Sequence, residues 1–228
     1  MSGPEVGSIG AIGGEIRCQI STAEFAGDGS LEQGPESVPR IYVASLSDYN
    51  AGRLHGEWVN ANQEPDGIYT DIRLMLAASP MNQMRSSDGE WEGRPEEWAI
   101  HDYDGFGRVG LGEYESVAKV SRIAAGIVEH GPAFSDFVSY IGIDDDEGID
   151  EFEERYLGTW DSLEAWAEEV LDDMGVNAEV GNLPNWVQPY VKIDVSGFAR
   201  DCELGGDVVA TAVASYEAGS GGVRVFRG

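Results

Sequence analysis

Apolar and polar positions fall into a regular pattern from Arg40 onward. "RIYVASL" is a β-branched apolar run, "GRLHGEWVNA" alternates around Leu54 and Trp58, "DIRLMLAAS" has helical spacing, and "EEWAIHDY" supplies another strand. This ββαβ order predicts a small α+β domain over residues 40–103. In "GEYESVAKVSRIAAGIVEHG" the side chains Tyr114, Val117, Ala118, Ile123, Ile127 and Val128 follow a helical repeat that Gly131 and Pro132 stop. "AFSDFVSYIG" predicts a second short helix, and the two make a central helical domain over residues 104–148.

The last third predicts helices around Trp160–Asp173, Pro184–Val191 and Val195–Cys202, then strands "DVVATAV" and "GVRVF", forming a C-terminal acidic α/β domain over residues 149–228. Residues 1–39 are rich in Gly, Ser, Pro and Glu without periodicity and read as a flexible leader. The fold class expected is therefore α+β, in three small domains. No apolar run reaches the length of a membrane span, and "MSGPEVGSIGAIGGEIRC" lacks the basic start and apolar core of a signal peptide. The expectation is a soluble, cytoplasmic protein with no membrane partner.

Charge changes this picture. The chain carries 42 Asp and Glu against 14 Lys and Arg, a formal net charge of -28. Scattered bases in such small number argue against nucleic acid as a direct partner, because phosphate binding needs clustered Lys and Arg. The acids are also unevenly placed. Residues 143–175 hold fourteen of them against the single base Arg155, whereas an adaptation for solubility alone would spread acids over every face. Clustering points to a local purpose, so the candidate partner-binding residues are Asp144, Asp145, Asp146, Glu147, Asp150, Glu151, Glu153, Glu154, Asp161, Glu164, Glu168, Glu169, Asp172 and Asp173.

Within this stretch Asp161 is placed to cap a helix with Glu164 as its capping-box partner, and Gly175 to end it in a left-handed turn. At about 100° per residue, Leu163, Trp166, Ala167, Val170, Leu171 and Met174 share one arc. Asp161, Glu164, Glu168, Glu169, Asp172 and Asp173 share the other. Glu164, Glu168 and Asp172 recur about every 6 Å along the axis. Like charges so spaced destabilise a helix by about 0.2–0.5 kcal/mol per pair, so stability alone does not explain them.

Other chemistry fits the residues less well. With Gly148 at position six of a calcium loop, Asp145, Glu147 and Glu154 fall on ligand positions, but Ile143 occupies the first, where a carboxylate must ligate. "GFGRVG" spells the dinucleotide fingerprint, yet no βαβ unit surrounds it, and a Gly-rich turn is the better reading. His55, His101 and His130 have no metal-ligand spacing, and the distant Cys18 and Cys202 read as plain thiols. His101 could pair with Asp102 or Asp104 in a hydrolytic dyad, but no nucleophile motif accompanies it, and a structural His is the stronger reading. A glycosidase needs two carboxylates, not fourteen. No catalytic residue, cofactor or metal is expected.

The blocks "RIYVASLSDYNAGRLHGEWVNA", "WAIHDYDGFG", "EYESV", "LPNWVQPYVKIDVSGFARDCELGGD" and "GVRVF", in this order, resemble the ArdA antirestriction family over about residues 40–228. The resemblance implies an elongated three-domain chain forming a homodimer through its C-terminal domain. It also implies a DNA mimic, carried by mobile elements and phages, that inhibits type I restriction-modification enzymes. The family's antirestriction motif falls on "TWDSLEAWAEEVLDDMG", Thr159 to Gly175. The chain departs from the family in its leader, in the insertion "SSDGEWEGRPE", and at Val195 and Cys202, where relatives usually carry an aromatic residue and Leu. Duplex DNA carries one charge per about 1.7 Å, so twice the -28 of one chain matches roughly 95 Å of duplex. The alternative is a module of the same acidity aimed at another basic DNA-binding protein.

Overall fold

The computed structural model describes residues 38–81, 97–213 and 221–228. Cys18, nearly all of the leader, the insertion "SSDGEWEGRPE" and the end of "DVVATAVASY" lie outside the described residues.

The first sheet joins β1 (Arg40–Ser45), β2 (Gly56–Asn60) and β3 (Trp98–Asp104) in the antiparallel order β2-β1-β3. Alternation sets its faces: Ile41 and Val43 are buried while Arg40 is exposed, and Val59 and Ile100 pair opposite them. The register slips between Tyr42, which faces Asp102, and Val43, which faces Ile100, leaving His101 as the extra residue of a bulge. A short helix α1 (Leu46–Asn50), absent from the hydrophobic pattern, follows β1 and is capped by Ser45. Asp48 within it is fully buried. Burial alone would raise its carboxyl, but hydrogen bonds from Ser79, Ser45 and the Met81 amide, with His55 nearby, hold it below the ordinary carboxylate value. Helix α2 (Pro65–Ala77) begins earlier than "DIRLMLAAS" suggests, since Pro65 suits a first helical position.

Helices α3 (Val117–His130) and α4 (Pro132–Ile141) occupy the centre of the chain. Tyr114, expected on the helical face of α3, precedes it and stays exposed. The short helices α5 (Asp146–Asp150) and α6 (Phe152–Arg155) follow, then β4 (Tyr156–Trp160), a strand the sequence pattern does not reveal. Next come α7 (Leu163–Asp173), α8 (Val176–Gly181), α9 (Val195–Gly205), β5 (Val208–Ala212) and β6 (Val223–Arg227). The helix expected over Pro184–Val191 is instead a run of turns with one 3-10 turn at Gln188–Tyr190. Pro189 inside it has no amide to donate, so an α-helix cannot run through. The last three strands form a second antiparallel sheet in the order β4-β6-β5. Helices with antiparallel sheets make the fold α+β.

Two apolar clusters fill the molecule. One gathers Ile41, Ile68 and Ile72 from the first sheet and α2, Val120 and Ile123 from α3, Phe137 from α4, and Ile149, Phe152 and Phe226. The other gathers Trp166, Ala167 and Val170 from α7 with Ala199, Cys202, Val208 and Val225. Adjacent residues of a strand face opposite sides, so Val225 and Phe226 of β6 serve different clusters. A buried ion pair between Arg224 of β6 and Asp136 of α4 ties the central helices to the second sheet. Arg108 adds a 3.4 Å contact to Asp136 and donates to the Ala212 carbonyl at 2.7 Å.

Candidate functional site

All fourteen carboxylates of residues 143–175 are exposed, as expected from their density. Their surroundings divide them. In the first half, α3 supplies cations: Lys119 bonds Asp144 and lies 3.8 Å from Glu115. Arg122 donates to the Asp146 carboxylate at 2.9 Å, to the Asp146 carbonyl at 2.6 Å and to Asp150 at 2.6 Å. Asp145 accepts from the Gly148 amide at 3.0 Å, capping α5. Arg155 lies 3.8 Å from Glu151 and donates to the Arg227 carbonyl. In this half the side chains of Glu147, Glu153 and Glu154 make no hydrogen bond or ion pair among the described residues.

The second half rests on α7. Ser162, in an extended conformation, caps the helix by accepting from the Ala165 amide at 3.1 Å. The cap expected at Asp161 is therefore one residue off, and Glu164 stands at the second helical position, too early for a capping box. Trp166, Ala167, Val170 and Leu171 are buried, as the helical repeat predicts, and Gly175 adopts φ 75° where a left-handed stop was expected. Met174 departs from that arc at 62% exposure, since it lies past the last helical turn. Glu169 accepts from the Trp160 indole at 2.7 Å, and Asp172 from Asn177 at 3.1 Å. Both donors are neutral. Among the described residues no Lys or Arg forms an ion pair with any acid from Asp161 to Asp173. Glu168, Glu169 and Asp172 border an open groove of about 490 Å³ whose other side includes Ile193 and Val195.

The remaining candidates lie among local contacts. Gly148 lies inside α5 under the Asp145 cap, not at the bend of a calcium loop. No group of three or more His, Cys, Asp or Glu that could hold a metal occurs among the described residues. "GFGRVG" is a turn fastened to α4: Ser135 accepts from the Arg108 amide at 2.9 Å and donates to the Phe106 carbonyl at 3.2 Å. At Gly107, with φ 57°, a side chain would strike Ser135. His55 bonds the Met75 carbonyl at 2.8 Å, His130 lies against Phe134 and Phe152, and His101 stands 3.9 Å from Glu113. No helix among the described residues is long and apolar enough to cross a membrane.

Sequence reasoning missed Lys119 and Arg122 as partners of the acidic stretch. Their i, i+3 spacing on the polar side of α3 was the available signal. Compared with known families, the chain matches the family described as antirestriction protein (ArdA) over residues 41–217. No curated protein matches it.

Proposed function

The chain belongs to the ArdA antirestriction protein family, and from that premise we propose that it is an acidic DNA mimic that occupies the DNA-binding groove of a type I restriction-modification enzyme. Its carboxylates take the places of phosphates against the Lys and Arg of the methyltransferase core, protecting incoming mobile or phage DNA. The mechanism is competitive; no bond is made or broken, and neither cofactor nor metal takes part. The observation that carries this reading is α7, one face of which is anchored by Trp166 while the other presents Glu164, Glu168, Glu169, Asp172 and Asp173 without a cation. A rigid helix holds these charges in fixed places, as a duplex holds its phosphates.

The protein acts as a homodimer in this reading. The last part of the chain suits the contact: residues 176–228 carry six acids against four bases, so two strongly negative copies repel least there. Trp186, Tyr190 and Leu204 are exposed in the same part. Light scattering should give twice the 24.6 kDa chain mass at micromolar concentration in moderate salt.

A competition assay tests the central claim. Displacement of a labelled duplex from a type I methyltransferase core should rise with added protein and fall as salt screens the contact. A core that binds the duplex and ignores the protein in the same buffer would sink the type I target in favour of another basic DNA-binding protein.

A further inference from the structure

The block "HDYDGFG" and the segment "EYESV" are not absorbed by the acidic surface, yet the fold brings them together. The bulge in β3 turns His101 toward α1, where its ring meets Tyr49 edge-on at 5.1 Å between centroids. The Ile100 amide donates to the Glu113 carbonyl at 2.9 Å, which fastens the segment bearing Glu113 and Tyr114 to the same strand. The result is an open groove of about 650 Å³, lined by Tyr49, His101, Tyr103, Leu111, Glu113 and Tyr114. Aromatic rings at such a site usually bury their faces, but Tyr49 is 55% and Tyr114 71% exposed. The Glu113 side chain is half exposed, and the His101 imidazole stands 3.9 Å from its carboxylate.

We infer that this groove takes an arginine side chain presented by the partner enzyme, with the guanidinium among the tyrosine rings and against the Glu113 carboxylate. The chemistry is specific: guanidinium is planar, always charged and weakly hydrated, so it stacks on aromatic faces and forks onto a carboxylate, which a lysine ammonium does less well. Charge complementarity selects the occupant, since a protein of net charge -28 meets partners through their basic side chains. The inference rests on the mimic reading, but it uses residues outside the acidic stretch and contacts of shorter range.

Binding of the full chain to a type I methyltransferase core, measured across a salt series, tests it. The Tyr49→Ala/Tyr114→Ala variant should bind roughly tenfold more weakly, the loss expected when a desolvated cation–π contact is removed. Its salt dependence should keep the parent's slope, because no charge has been changed. Tyr114→Lys, at a site exposed enough to accept it, should weaken binding further by placing a cation where the arginine sits. Parent-like affinity in both variants, with unchanged circular dichroism, overturns the groove proposal and leaves the mimic reading standing. If the parent itself fails to bind the core, the type I target falls and the groove proposal falls with it. A loss in the Tyr49→Ala/Tyr114→Ala variant accompanied by a shallower salt slope would also overturn it, since the tyrosines would then be supporting the acidic surface and not gripping a side chain.

Discussion

Two acidic stretches of similar length lie on either side of β4, and they are built on opposite principles. Residues 144–154 include two short helices, and Lys119, Arg122 and Arg155 hold Asp144, Asp146, Asp150 and Glu151 of this stretch, so that charge helps fasten irregular backbone onto α3. Residues 161–173 are mostly one regular helix, Leu163–Asp173, whose Trp166, Ala167, Val170 and Leu171 are buried, with no Lys or Arg paired to its acids among the described residues. Where hydrophobic burial supplies the hold, the carboxylates are left without a cation. Where it cannot, because a five-residue helix such as α5 buries little more than Ile149, ion pairs supply part of it. Density of acidic residues is therefore a poor measure of the proposed mimic surface; the attachment of the backbone beneath decides which charges remain open.

The largest effect should come from the anchor of the second stretch. Trp166 is 2% exposed and stacks near Phe198 at 6.4 Å, so Trp166→Ala should lower stability by about 3–5 kcal/mol. Denaturant unfolding measures it, and a loss below about 1 kcal/mol would break the claim that apolar burial holds this helix. Next, changing Glu164, Glu168, Glu169, Asp172 and Asp173 together to their amides should weaken partner binding by about 1–2 kcal/mol, each exposed contact being worth a few tenths. Stability should hold or rise, since three like-charge i, i+4 pairs are relieved. The salt slope should become shallower. Unchanged affinity and slope would mean that α7 is a solvated face and nothing more.

The first stretch should respond in the opposite sense. Arg122→Ala removes three hydrogen bonds to Asp146 and Asp150, and stability should fall by about 1 kcal/mol. Affinity for the basic partner should not fall, because two carboxylates are released. Weaker binding in a folded Arg122→Ala protein would show that the fixed geometry of α5 is itself part of the contact, and the contrast between the stretches would fail.

How far the sequence foretold this contrast depends on the range of the forces involved. The buried face of α7 and its left-handed stop at Gly175 follow from spacing within a few residues, and both are legible. The cap was misplaced by one residue because Asp161 and Ser162 are both good caps, and only the backbone angles separate them. Strand β4 escaped notice because its five residues are half-buried or exposed, with none buried, and lie between charged helices without an alternating pattern. The pairing of Lys119 with Asp144 and of Arg122 with Asp146 and Asp150 spans more than 20 residues, and no local rule reports it. All fourteen candidates are exposed, but the division between held and open acids is a tertiary fact.

The smallest effect is a pH dependence that only the first stretch should show. The hydrogen bond to Asp144 raises the Lys119 ammonium above its ordinary 10.5; partial desolvation opposes this, while the negative charges of Asp144, Glu115 and Asp146 reinforce it. A group whose folded pKa is raised stabilises the fold fully below its unfolded value and loses that contribution as pH climbs through the folded one. Stability should therefore decline above about pH 10.5 by an amount that the side chain's contact with solvent and salt keeps small. Lys119→Met removes the titrating group and should flatten this part of the decline, whereas the amide substitutions in α7, which has no Lys or Arg beside it, should leave it unchanged. Chemical denaturation between about pH 9.5 and 11.5, one unit to either side of 10.5, compares the three proteins. Equal slopes in the parent and Lys119→Met would show that the Lys119–Asp144 contact contributes no hold, and the first stretch would then depend on Arg122 and Arg155 alone.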